Sequence, residues 1–210
     1  VVAYESVPSN ADLTPVISKI AALKPDVLAV GGHEEVLINV VKAAKSLNYR
    51  PKGLLMHYGV TNPAFAQTLG ADADGTCGIV LWLPTVPYKD EVFGTAADYA
   101  ELARNRWGNV PDYTEAGCSA SGLVFNDAVK RLGKKPPFSQ EDRVALKDAI
   151  AATDITTSYG PIKFESEGDH YHCNIQPVPV LVQIKNGATV AVGPKESAAD
   201  ELTYPLPAWS

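Results

Sequence analysis

The chain has 210 residues, 46% of them apolar and 20% charged, with a net charge of −6. That length holds one large domain or two small ones with ample core, in a composition ordinary for a soluble globular protein. The acidic balance argues against a nucleic-acid backbone as partner, and no apolar run approaches the ~18–20 residues of a membrane span.

Cys77, Cys118 and Cys173 are too few and too widely spaced for a disulfide scaffold or a zinc knuckle, and buried free thiols are the expected state. The opening Val1-Val2-Ala3-Tyr4-Glu5 has no initiator Met and no basic leader, and reads as the interior of a fold. Val1–Ser6 is β-branched and predicts a strand. Asp12 is placed to cap a helix carrying Leu13, Val16, Ile17 and Ile20 on one stripe, with Pro15 in its first turn and Pro25 past its end. Val27–Val30, an apolar run between two helical patterns, predicts a parallel strand covered on both faces. Val36, Leu37, Val40, Val41, Ala44 and Leu47 mark the next helix, ending near Asn48. Leu54–His57 is a second strand, followed by Tyr58-Gly59-Val60-Thr61-Asn62-Pro63 and a short helix to Leu69. Gly78–Leu83 is a third, closed by Pro84 and Pro87. Strands alternating with helices predict an α/β fold with a doubly wound parallel sheet.

Beyond this the pattern changes. Val92–Trp107 predicts a longer helix, and Asn109–Asp112 a break. Tyr113 then opens a helix to Leu132 whose Gly117, Ser119, Ala120, Ser121 and Gly122 suit close packing. After a basic loop, Ser139 and Asp142 resemble a capping box before a helix over Arg143–Ala152. Gly160-Pro161 and Gly168-Asp169 are turn signals around Ile162 and Phe164. Val178–Ile184, Asn186-Gly187 and Thr189–Val192 form the strongest local signal in the chain, a hairpin with a two-residue turn. The proline-rich tail around Tyr204–Trp209 suits an irregular segment lying over a surface.

Several constellations bear on chemistry. His33-Glu34-Glu35 starts like a zinc helix but has Leu37 where the second His belongs. His170 and His172 would share one face of a strand and could hold a metal with Asp169, although no second cluster adds ligands. Ser119 lies in a near-match to a nucleophile elbow, but within a helical pattern, where packing explains the small residues better. Cys118 has no imidazole close in sequence. Gly31-Gly32 is too short for a dinucleotide fingerprint. It would let a ligand approach the backbone at a helix N-terminus, whose free N–H groups favour a carboxylate; a plain tight turn accounts for it equally. Residues after a parallel strand sit at its carboxyl end, where open α/β sheets bind ligands, so Gly32, His33 and Glu34 are candidate site residues. Tyr58, Trp82, Tyr88 and Tyr113 at strand or helix ends suggest an aromatic-walled pocket, with Gly59 and Pro84 beside them.

Ala11-Asp12-Leu13-Thr14-Pro15-Val16-Ile17 with Lys24-Pro25-Asp26-Val27, Gly31-Gly32, Tyr58-Gly59-Val60, the Pro111–Tyr113 helix entry, Gly160-Pro161-Ile162-Lys163-Phe164 with Gly168-Asp169, and Val182–Gly187 occur in a telling order. In that order they resemble the second half of a type I periplasmic solute-binding protein of the leucine/isoleucine/valine receptor family of ABC transporters. The resemblance implies two α/β lobes closing on a small solute. It puts residues 1–110 and 174–195 in the second lobe, 111–173 in a segment returning to the first, and 196–210 in a tail. The first-lobe sheet and the opening strand of the second lobe have no counterpart, so the N-terminal half of the family fold is an expected partner, with the membrane permease. The implied location is periplasmic, or extracellular and tethered to the membrane. No cofactor, metal or catalysis is implied.

By the same resemblance His33 falls where the family often has an aromatic covering the ligand, Tyr58 where amino-acid binders carry an acid for the α-ammonium, and Tyr113 near an apolar contact. Lacking that acid, the site is expected to prefer a carboxylate or amide with an apolar body, since a desolvated ammonium without a partner costs several kcal/mol. Glu34 or Glu115 could substitute for it. A cytoplasmic amide or amino-acid sensor on the same fold is the alternative. An α/β hydrolase using Ser119, Cys118, His33 or His57 is a more distant one.

Overall fold

In the computed structural model, which describes residues 1–209, Leu13 and Ile17 are buried along α1 (Thr14–Ala22). Asp12 accepts a hydrogen bond from the Thr14 N–H (2.9 Å), and Pro15 sits in the first turn, where an N–H lacks an intrahelical partner in any case. There follow β1 (Val27–Val30), α2 (Glu34–Ser46), β2 (Gly53–Met56), a 3-10 turn over Tyr58–Thr61, α3 (Pro63–Leu69) and β3 (Cys77–Val80). The strands are parallel neighbours, with Val30 opposite Met56 and Met56 opposite Gly78.

Leu81–Pro179 forms a compact unit of its own. The helix predicted from Val92 begins at Ala96, because a small hairpin, β4 (Lys89–Asp90) and β5 (Gly94–Thr95), takes the residues before it. Asp90 turns that hairpin by accepting from the N–H groups of Val92 (2.9 Å) and Phe93 (2.7 Å). Three helices follow, each opened by a complete capping box: Thr95/Asp98 for α4 (Ala96–Trp107), Asp112/Glu115 for α5 (Tyr113–Leu132) and Ser139/Asp142 for α6 (Gln140–Ala151). Ala116, Ala120, Val124 and Ala128 are the buried face of α5. Ala120 and Val124 pack with Ile162, against which Ile150, Ile155 and Phe164 also lie. The last residues belong to α6 and to the antiparallel pair β6 (Asp154–Thr157) and β7 (Gly160–Lys163), with their flanking turns.

The turn between β6 and β7 is gripped from both sides at Ser158. Its N–H donates to the Asp90 carboxylate (2.6 Å) and its carbonyl accepts from the Trp82 indole N–H (3.0 Å). Burial would raise the Asp90 carboxyl, but N–H donors from Phe93, Ser158 and Val92 outweigh it and hold that group below the usual carboxylate range. A folded-state pKa below the unfolded value gives stability that is present above the unfolded value of about 3.9 and lost as pH falls through the folded one. Acid unfolding should therefore steepen below about pH 4, and less so in Asp90→Asn. Because Asp90 keeps some solvent contact, Asp90→Ala is expected to cost about 1–3 kcal/mol, measured by urea unfolding at neutral pH.

The chain then returns to the first sheet. β8 (Val180–Lys185) pairs antiparallel with β3, and β9 (Ala188–Gly193) with β8, giving five strands in the order β1-β2-β3-β8-β9. Asn186 and Gly187 both have positive φ (51° and 74°), as the tight hairpin turn requires. Val1–Val80 and the chain from Val180 onward form the other compact unit. Its core sets Leu37, Val40, Val41 and Ala44 of α2 with Leu28, Leu54, Met56, Phe65 and Ile184. Each large apolar side chain buried there contributes roughly 1.5–3 kcal/mol. The unit boundary at Val80 and Leu81 lies ahead of the lobe boundary near residue 110 that the resemblance implies.

Five expectations are corrected. Val1–Ser6 is not a strand: β-branched residues favour extended backbone, but none of the described strands pairs with them, and Val1 and Val2 are exposed. β1 is an edge strand open on one face, with Leu28 buried and Val27 49% exposed. His170–Cys173 is a turn, in which the Cys173 N–H bonds the His170 carbonyl (2.8 Å) and His172 has φ 62°, so the two histidines do not share a strand face. Of the thiols only Cys77 is buried; Cys118 and Cys173 are exposed, on an outer face of α5 and in that turn. β3 also stops at Val80, the last residue paired with β8, which leaves Trp82 beyond the sheet.

Candidate ligand site

The carboxyl ends of β1 and β2 are held together past their last paired residues, since the His57 N–H donates to the Val30 carbonyl (3.1 Å). After β1 the chain passes Gly31 and Gly32 to His33, which is extended (φ −82°, ψ 164°) and precedes α2 without a side-chain hydrogen bond to the helix. The first turn of α2 thus lacks a side-chain cap, and Glu34 and Glu35 lie in it, where negative charge complements the helix dipole. After β2 the 3-10 turn folds directly onto this helix start. A Cβ at Gly59 would lie 2.8 Å from Glu34 Cα and 3.0 Å from Glu34 N, so only a residue without a side chain fits there. Tyr58, 38% exposed, meets the His57 ring with centroids 3.7 Å apart and planes tilted by 54°.

Gly32, His33, Glu34, Tyr58 and Gly59 are therefore neighbours at the carboxyl edge of the sheet. His57, expected as the end of the second strand and as one of the hydrolase candidates, joins them. Its position one residue past a parallel strand, equivalent to that of Gly31, was the available signal.

The other candidates lie in the Leu81–Pro179 unit. Trp82 is 1% exposed, donates to the Ser158 carbonyl and stands edge-on to Tyr99 at 5.8 Å, with Phe93 on the same tyrosine at 5.2 Å. In this chain it anchors the unit and presents no open ring face. Tyr88 lies over Gly160, and Pro84 is half-buried in the loop after Trp82. Tyr113, half-buried, begins α5 behind its Asp112 cap. Glu115 accepts the Asp112 N–H (2.9 Å) in that capping box, which leaves Glu34 as the acid beside Tyr58's turn. The Ser119 hydroxyl is paired with that of Tyr99 (2.7 Å), a packing contact within the unit. Among the described residues no group of three or more His, Cys, Asp or Glu side chains is placed to hold a metal.

Parallel strands with a glycine-rich carboxyl edge, joined to an antiparallel hairpin, define a mixed five-stranded α/β sheet. Residues 1–188 match the model of the periplasmic binding protein family, and the chain belongs to that family. Its fold is that of the type I members. It superposes with TM-score 0.71 on the leucine binding protein LivK of Thermotoga maritima, at 20% identity over 90% of this chain and 49% of that one. The leucine-, isoleucine-, valine-, threonine- and alanine-binding protein of Brucella ovis, in a closed conformation, gives the same score at 20% identity over 97% of this chain and 52% of its own. An ABC transporter solute-binding protein of Rhodopseudomonas palustris in complex with benzoate gives 0.64 at 18% identity, over 90% and 48%. The chain thus spans about half the length of these proteins.

Proposed function

We propose that this chain is part of the extracytoplasmic solute-binding component of an ABC importer, and that it supplies one wall of a site for a small carboxylate or amide with an apolar or aromatic body. In this reading the five-stranded sheet belongs to the second lobe and residues 111–173 to the segment returning to the first. The observation that carries it is the seating of the Tyr58–Gly59 turn, with the His57 ring against Tyr58, on the start of α2, whose first backbone N–H groups follow His33 and have no side-chain cap. Such N–H groups suit a carboxylate or an amide carbonyl, and the rings suit an apolar body. The rest of the family fold is the proposed partner for the open edge of β1 and for exposed Phe125 and Val144. Closure around the solute would favour docking on the permease.

Calorimetric titration with benzoate, short aliphatic carboxylates, their amides and leucine tests the reading. Carboxylates or amides are expected to bind more tightly than leucine; leucine binding more tightly than all of them would overturn it and point to Glu34 as the ammonium partner. His33→Ala and Tyr58→Ala should each weaken binding by about tenfold, the worth of one aromatic contact of ~1.4 kcal/mol.

A further inference from the structure

The end of the sheet opposite the candidate site carries a feature that solute binding does not use. From Asp200 to Trp209 the chain has no helix or strand, yet it is tied down across the amino ends of β2 and β3 and the adjoining end of β8. Lys185 Nζ bonds the Asp200 carboxylate (2.8 Å) and the Glu201 carbonyl. The Gln183 side chain, 0% exposed, treats Thr203 as a strand neighbour would: its Oε1 accepts the Thr203 N–H (2.9 Å) and its Nε2 donates to the Thr203 carbonyl (3.0 Å). The Leu206 N–H donates to the Lys52 carbonyl (2.8 Å). At the far end the Trp209 indole N–H donates to the Tyr49 carbonyl (3.0 Å), with the Arg50 guanidinium 3.9 Å over its ring.

Beneath this segment lies Cys77. Its thiol donates to the Gly75 carbonyl (3.7 Å) and receives a contact from Gln183 Nε2 (3.6 Å). Leu206 covers Gly75 so closely that a Cβ there would meet it at 2.6 Å. The two residues flanking the thiol are thus the two on which Thr203 and Leu206 rest. Burial pushes the Cys77 thiol up, away from the reactive thiolate. Of residues 200–209 only Leu206 and Trp209 are even half-buried, and no strand of the sheet relies on them for its ladder. Segments attached at a few points to an otherwise complete sheet open at lower free energy than the core.

We propose that residues 200–209 form a strap that unlatches from the amino edge of the sheet as one unit while the sheet and its helices stay folded, with Gln183 as the catch and Cys77 uncovered by the opening. Iodoacetamide labelling of the full chain carrying Cys118→Ser and Cys173→Ser reads the opening, and hydrogen exchange of the β1 and β2 amides reads opening of the sheet. Cys77 is expected to react faster than sheet opening allows. Gln183→Leu and Trp209→Ala should each raise its rate by about tenfold or more, with the sheet amides as protected as before. Should Gln183→Leu fail to fold, Trp209→Ala alone decides, since its side chain lies at the strap's far end. Cys77 labelling that tracks sheet-amide exchange in every folded protein would overturn the proposal, making the tail part of the cooperative core.

Discussion

Trp82→Ala is expected to lower the stability of the Leu81–Pro179 unit by about 3–5 kcal/mol, because it opens a ring-sized cavity beside Tyr99. The same change leaves the Ser158 carbonyl without its indole donor, in a turn whose N–H is still held by Asp90. Trp82→Phe keeps most of the ring volume and loses only the donor, so about 1–2 kcal/mol is expected. Urea titration should show both as shifts of the midpoint with the slope unchanged. Asp90 and Trp82 grip one residue, and their double replacement should cost less than the sum of the single ones. Were Trp82 instead a wall of the ligand site, its replacement would weaken binding and leave the midpoint in place. That outcome would reverse its assignment as an anchor.

Gly59→Ala should damage binding more than any other glycine replacement at the carboxyl edge. The added methyl would sit 2.8 Å from Glu34 Cα, a backbone atom that cannot rotate away, so the Tyr58 turn must lift off α2. Overpacking of this kind costs ~1–3 kcal/mol, and the displaced rings should weaken carboxylate binding by at least about tenfold. Two neighbours calibrate the effect. At Gly32 the new Cβ would meet the Val36 side chain at 3.1 Å, which can adjust, whereas at Gly31 it would meet nothing within 4 Å. Affinity measured by calorimetry should therefore fall in the order Gly31→Ala, Gly32→Ala, Gly59→Ala. Equal affinities across the series would separate the 3-10 turn from the site.

Much of the fold was legible because it is written in short-range signals. The Asn186-Gly187 hairpin, the Ser139/Asp142 capping box and the helix from Tyr113 to Leu132 each depend on residues at most four apart, and each appears where the pattern puts it. The parallel succession of β1, β2 and β3 follows from apolar runs alternating with amphipathic helices. The same logic misled where a pattern had no partner or a nearer competitor. Val1–Ser6 has strand composition without a neighbouring edge, and the Asp90 turn displaced the start of the helix expected at Val92.

The candidate site divides along the same line. Residues just past β1 and β2 could be named from the rule that parallel sheets bind ligands at their carboxyl ends, and His33, Tyr58 and Gly59 do lie there. Trp82 satisfied the same rule in sequence and yet lies inside its unit, because its donor finds an acceptor at Ser158, 76 positions away. By itself the sequence determined most of the segments that become strands and helices, and their order, since propensity, capping and turn chemistry act among near neighbours. Only the tertiary structure decided which side chains remain open to a ligand and which tail residues bind the sheet: a polar atom's burial depends on partners such as Gln183 for Thr203 or Ser158 for Trp82, which no local pattern specifies.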